Sequence, residues 1–254
     1  MQLTKSSNPV LSEKLFYGSR AESHGETMTV NGTVNKIALL LFFLVAAASY
    51  TWGLFFETAV PGQMNPAILP WMIGGGIGGL ILALVTTFKP VWSPYTAPFY
   101  ALCEGLLLGG LSAMFNAYRE GIVMQAVGLT FATLFAMLFA YKTGMIKVTQ
   151  KFKAGVIAAT GGIFLFYMIS WILSMFGVGM GFAHGSSLLS IGISLFVVVI
   201  AALNLVLDFD FIDKGAQSGA PKYMEWYGAF GLMVTLVWLY IELLRLLSKL
   251  ASRD

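Results

Sequence analysis

The sequence predicts an all-α membrane protein of seven transmembrane helices, and three observations predict it. Of its 254 residues, 57% are hydrophobic and only 11% charged, with a mean hydropathy of +0.79. That balance lies far outside the range of soluble globular domains. Apolar windows of roughly 20 residues, the length that crosses a bilayer core, recur seven times along the chain. The 28 glycines fit the same class, because small residues let helices approach closely in lipid, where no hydrophobic force draws them together.

Taken in order, residues 1–36 are polar, carry Lys5, Lys14, Arg20 and Lys36, and have no short apolar region near the start. They read as a cytoplasmic N-terminal tail rather than a cleaved signal peptide. Residues 37–254 read as the seven-helix transmembrane domain, with spans at 37–56, 70–88, 97–115, 121–141, 153–177, 186–212 and 224–247. Pro61, Pro66, Pro90, Pro94 and Pro221 fall in the connections, where a missing N–H does least harm. Eleven of the 15 Lys and Arg side chains fall on the side of the N-terminus and four on the other. The positive-inside rule then puts the N-terminus in the cytoplasm and, after seven spans, the C-terminus outside. Arg245, Lys249 and Arg253 run against that assignment; a re-entrant last span would return them to the cytoplasm.

Overlapping small-xxx-small patterns, Gly74/Gly78 and Gly75/Gly79 in "PWMIGGGIGGL" and Gly105/Gly109 in "EGLLLGG", predict close helix contacts. No internal repeat is visible, so the inverted-repeat architecture of many transporters is not predicted. The lone cysteine, Cys103, excludes an intramolecular disulfide and any CxxC pair. His24 and His184 lie far apart in a polar tail and a loop, which excludes a histidine-rich metal site. Ser112 in "GGLSA" has no intramembrane histidine to act as its base. The intramembrane aspartates share one helix without a GxGD motif, and the phosphate-loop pattern is absent. No enzyme and no nucleic-acid partner is predicted; the basic excess is topological.

An ionisable group in lipid costs several kcal/mol on most scales, so each one needs a compensating partner or a function. Glu242 and Arg245, three apart near the end of the last span, are placed to pair and to snorkel outward. Glu225 opens the seventh helix after Pro221, where a carboxylate is favoured as a cap by the exposed N–H groups and the helix dipole. Asp210 has Lys214 four residues on, the favourable order for an interfacial pair, and Asp213 marks the membrane edge. Asp208 has no such cation along its helix and lies about 200° round the helix from Asp210. Walking back from Asp208 at helical spacing gives Asn204, Ala201, Val197, Ser194 and Ser190, a narrow stripe of small and polar residues that predicts a protein- or water-facing side. Glu104, in the third span, stands at a similar depth on the same side as Asp208. Sharing a cavity, the two carboxylates would make a proton-sensitive site or a hard-oxygen cation site with both as candidate calcium contacts. Alternatively, Glu104 is a carboxyl group hydrogen-bonded to a neighbouring helix.

Several stretches resemble the Bax inhibitor-1 (transmembrane Bax inhibitor motif) family, in its bacterial branch: "SSNPVLSEKLF", "MTVNGTVNKIALLLFFLVAAASYTW", "APFYALCEGLLLGGLSAMF", "GIVMQAVGLTF" and "LNLVLDFDFIDKG…APKYMEWYGAFGLMVTLVWLYIELLRLL". Together they cover most of the chain, and the long C-terminal match is the specific part. The resemblance implies a seven-helix bundle around a central C-terminal helix, in the bacterial inner membrane, acting as a pH-sensitive calcium leak channel with no cofactor beyond the transported Ca2+. It also implies an alternative: a non-transporting regulator that binds and modulates a membrane-anchored protease. The family's pH sensor is a pair of aspartates, one late in the sixth span and one in the seventh. The first falls on Asp208. The second, counted back without gaps from "LLRLL", falls on Thr235, and the acids of that helix are Glu225 and Glu242. The aspartate pair is therefore incomplete here, and Glu104 is the carboxylate available to take the second place.

Overall fold

The computed structural model describes residues 26–57, 65–177 and 187–252. The tail to residue 25, with His24, and the loops carrying Pro61 and His184 lie outside the described residues. Among the described residues, seven helices are long and apolar enough to cross a membrane: α1 Val30–Phe56, α2 Ile68–Phe88, α3 Ser93–Tyr118, α4 Ile122–Lys142, α5 Gln150–Met175, α6 Leu188–Gln217 and α7 Met224–Ala251. A single 3-10 turn, Pro90–Trp92, leads into α3. An isolated antiparallel bridge joins Thr27 to Pro221, with no named strand among the described residues. The seven expected spans are all helices, and the protein is a multi-pass helical membrane protein.

Several helices run past their apolar windows. α1 begins at Val30, not 37, because Thr29 is its N-cap, extended at ψ 151° and accepting from the Gly32 N–H at 2.9 Å. Once capped, the polar turn through Asn31, Asn35 and Lys36 needs no lipid to be helical. α5 likewise starts at Gln150, with Thr149 accepting from the Phe152 N–H at 3.2 Å. Pro94 lies inside α3 rather than before it, and Pro98 is in the helix as expected. Pro94, in the first turn, would have had an unpaired N–H in any case.

Burial is uneven. The shares of the apolar windows buried are 56% in α7 and 44% in α3 and α6, against 11% in α1. α1, α2, α4 and α5 turn large apolar side chains outward, among them Phe42, Leu80, Phe135 and Phe164. Such a surface suits hydrocarbon and would be an aggregation liability in water.

The chain divides into two compact units. Unit 1 holds the described residues up to Met114 with Phe211–Met233; unit 2 holds Phe115–Asp210 with the described residues from Val234. In unit 1, α3 packs closely on α1 and α2. A methyl group at Gly105 would overlap the Leu44 carbonyl, and one at Gly109 the Ala48 carbonyl and the Thr51 hydroxyl. On α2, a Cβ at Gly75 would lie 2.5 Å from the Cys103 carbonyl, and one at Gly78 3.1 Å from its Sγ. Of the expected glycine pairs, Gly74 alone faces open space, so its pairing with Gly78 is not a contact motif. The entrance to α1 is fastened to the α6–α7 connection: Met28 N–H donates to the Ala220 carbonyl at 2.7 Å, beside the Thr27–Pro221 bridge. In unit 2, α5, α6 and α7 enclose an apolar cluster of Ile163, Val197 and Ile200, flanked by Ala159, Tyr167, Ile193, Leu203 and Trp238.

Candidate functional site

The α6 stripe faces protein. Ala201, Val197, Ser194 and Ser190 are all 2% exposed or less. Asn204 Nδ2 donates to Thr160 Oγ1 of α5 at 2.8 Å and to its own Ile200 carbonyl at 2.8 Å. At the end of the stripe, the Asp208 carboxylate accepts a hydrogen bond from the Thr235 hydroxyl of α7. Its Oδ2 is shielded from solvent and has no hydrogen-bond partner among the described residues. A carboxylate placed this way has one oxygen committed and one available, which is the chemistry of a site that takes a proton or a cation.

Asp210, on the far side of the same helix, is 5% exposed and sits 2.6 Å from Lys153 Nζ of α5. Expected at an interface beside Lys214, it is buried and has an inter-helix cation as well, which first-turn Lys153 supplies. Asp213 accepts from Gln217 Nε2 at 2.9 Å along its own helix.

In unit 1, Glu104 is half-buried and accepts a hydrogen bond from the Tyr100 hydroxyl one turn earlier on α3. A Cβ at Gly79 of α2 would lie 3.2 Å from its Oε1, so the absent side chain makes room for this carboxylate. Its partner is thus on its own helix rather than on a neighbour. Glu104 and Asp208 belong to different units.

Glu225 stands in the first turn of its own helix, where the dipole favours it, but its hydrogen bonds go to the start of α1. Fully buried, its Oε1 accepts from both the Thr29 N–H and the Thr29 hydroxyl at 2.9 Å. Lys36 Nζ lies 2.7 Å from Oε2, and Lys222 Nζ 3.3 Å from Oε1. The carboxylate serves the N-terminus of α1, against Gly32, where any Cβ would overlap it. Lys222 lies outside the spans, and its hydrogen bond to Glu225 is the main cause that raises its ammonium above the ordinary 10.5.

Glu242 and Arg245 do pair, Nη1 to Oε1 at 2.9 Å, but Glu242 does not snorkel: it is 1% exposed. Tyr167 OH of α5 lies 3.2 Å from both its carboxylate oxygens, and the Arg245 guanidinium stands over the Tyr167 ring at 5.3 Å. One heptad on, Lys249 Nζ donates to Ser194 Oγ at 2.8 Å and to the Ser190 carbonyl at 3.3 Å. The residues that sequence reading missed, Tyr100, Lys153, Thr160, Tyr167 and Lys249, supply hydroxyls or cations to the ones it found. Only Tyr100 carried a usable signal, its i,i+4 spacing to Glu104; the rest come from other helices or from distant turns.

Among the described residues, no three His, Cys, Asp or Glu side chains converge as a metal-ion cluster.

Seven apolar helices, with acids inside each unit given a hydroxyl or a cation from that unit, define a polytopic helical membrane protein. The chain matches the family described as "Bax inhibitor 1 like" over residues 8–252, nearly its whole length, and it belongs to that family. No curated protein and no solved structure matches it.

Proposed function

We propose that this protein is a passive cation pathway, foremost for calcium, in a bacterial inner membrane with its N-terminus in the cytoplasm, and that Asp208 is the group at which protons and cations compete. One observation carries the reading. Asp210, Glu225 and Glu242 each have a cation within 3 Å, whereas among the described residues Asp208 has the Thr235 hydroxyl and keeps Oδ2 without a hydrogen-bond partner. A carboxylate without its own cation in a low-dielectric setting is stabilised by whichever proton or metal ion reaches it. Calcium prefers six to eight oxygens, so Asp208, Thr235 and Asn204 would hold a largely hydrated ion weakly enough to release it, as conduction needs. Glu104 is a separate carboxylate contact of the same kind, served by Tyr100.

The test is efflux from calcium-loaded vesicles containing the purified protein. A leak that depends on pH, and loses that dependence in Asp208→Asn, supports the reading; no leak above empty vesicles sinks it.

A second reading, a non-transporting regulator of a membrane-anchored protease, draws on one observation. Glu26 to Thr29 are pinned to the α6–α7 connection through Ala220, Lys222 and Glu225, so the tail leaves from a fixed point. Co-purification of a protease that is lost on deleting residues 1–25, in a protein without vesicle flux, would favour it.

A further inference from the structure

Three helices of unit 2 repeat one pattern. On α5 it is Thr160, Ile163, Tyr167; on α7 it is Thr235, Trp238, Glu242; on α6, which runs the opposite way in sequence, it is Asn204, then Ile200 and Val197, then Ser194. Each reads polar, apolar, polar, with the polar members seven residues apart on α5 and α7 and ten apart on α6. Seven residues return a helix to within about 20° of the same face and advance it about 10 Å, so α5 and α7 keep one face; the ten residues on α6 advance it about 15 Å and turn it by about 80°, which sets Ser194 about a turn beyond the Tyr167 and Glu242 level.

The contacts follow the pattern. At one level Asn204 bonds Thr160 and Asp208 bonds Thr235. At the next, Ile163, Val197 and Ile200 are buried together, with Trp238 packed against them. At the third, Tyr167 and Arg245 hold Glu242, and Lys249 holds Ser194. The Glu242–Arg245 ion pair lies within α7 and so joins no two helices, and Glu242 shares its face with Thr235 one heptad away. Polar groups inside a membrane normally face a bundle interior or a water-filled cavity, and short apolar constrictions close such cavities by excluding water.

We propose that the α5–α6–α7 seam is the passage, closed at its middle by an apolar collar of Ile163, Val197, Ile200 and Trp238, and that Glu242 is a second cation station beyond the collar from Asp208. In the closed form Arg245 occupies that station as a built-in cation. The Arg245 side chain is 44% exposed while Glu242 is 1% exposed, so the arginine is the partner free to swing away and an incoming cation replaces it at the carboxylate. This rests on the leak reading above.

The experiment uses the full chain with Cys103→Ser, reconstituted in vesicles and probed with a membrane-impermeant charged thiol reagent from either side. Thr160→Cys and Ser194→Cys should each be modified from one side only, and from opposite sides. Val199→Cys, on an exposed apolar position of α6, should resist both. Adding Trp238→Ala, or Ile163→Ala should the first not elute as a monodisperse species, should make Thr160→Cys reactive from both sides. The same variants should raise calcium efflux several-fold, and so should Arg245→Gln. Thiols refractory from both sides, or Thr160→Cys reactive from both sides before the collar is opened, overturn the proposal. Sided labelling without efflux from any variant would leave the collar standing and remove the leak reading; efflux through a protein with a dry seam would do the reverse.

Discussion

Asp208 and Thr235 meet across α6 and α7: the hydroxyl donates to the carboxylate at the one position where the family resemblance calls for a second aspartate. The register read from "LLRLL" therefore agrees with the contact, and a neutral donor stands where an acid was expected. Thr235→Asp rebuilds the acid pair, and two carboxylates in contact resist joint ionisation, so it should strengthen any pH dependence of vesicle efflux. Thr235→Val removes the donor and should destabilise the protein by about 1–3 kcal/mol through an unsatisfied buried acceptor. Thermal unfolding in detergent measures the second effect separately from the first.

Asp210 is the control for the sensing role proposed for Asp208 on the same helix. Asp210→Asn breaks its contact with Lys153, whose side chain is 28% exposed and can turn to water, so the expected cost is about 1–3 kcal/mol. Efflux should keep its pH dependence. A loss equal to that of Asp208→Asn would show that the sensor has been assigned to the wrong aspartate.

Glu225 and Gly32 form a lock at the start of α1. Glu225→Ala leaves Lys36 and the Thr29 N–H facing a void and should cost about 3 kcal/mol, the range for breaking a buried pair. Gly32→Ala should cost about 1–3 kcal/mol by overlap with the same carboxylate. Combining the two should cost less than their sum, because each removes what the other collides with or supports.

Lys222 defines what the lock does with pH. Its ammonium is raised above 10.5 mainly by the hydrogen bond to Glu225, so its contribution is complete below about 10.5 and is lost as pH climbs through the raised value. Lys222→Met should therefore leave the shape of any efflux profile between about pH 6 and 9 unchanged.

Gly109 and Gly74 test the helix contacts. Gly109→Leu drives a side chain into the α1 backbone at Ala48 and should prevent recovery of a monodisperse protein, whereas Gly74→Leu meets nothing and should shift stability by less than about 0.5 kcal/mol. Size-exclusion profiles after extraction distinguish them.

The number of helices, their order and the polar face of α6 were all legible in the chain, because lipid demands about 20 apolar residues per crossing and penalises every charge inside one. That penalty makes Asp208 conspicuous in the sequence. Helix ends were less legible: Thr29 and Thr149 cap α1 and α5 beyond the apolar windows, and hydropathy is blind to a cap. The partners were not legible at all. Nothing in the spacing says that Lys153 belongs to Asp210, that Tyr167 closes on Glu242, or that Glu225 serves a helix that begins 195 residues earlier at Val30. Local periodicity determines which face of a helix is polar; which side chain answers it depends on how distant helices pack, and that is a property of the tertiary structure alone.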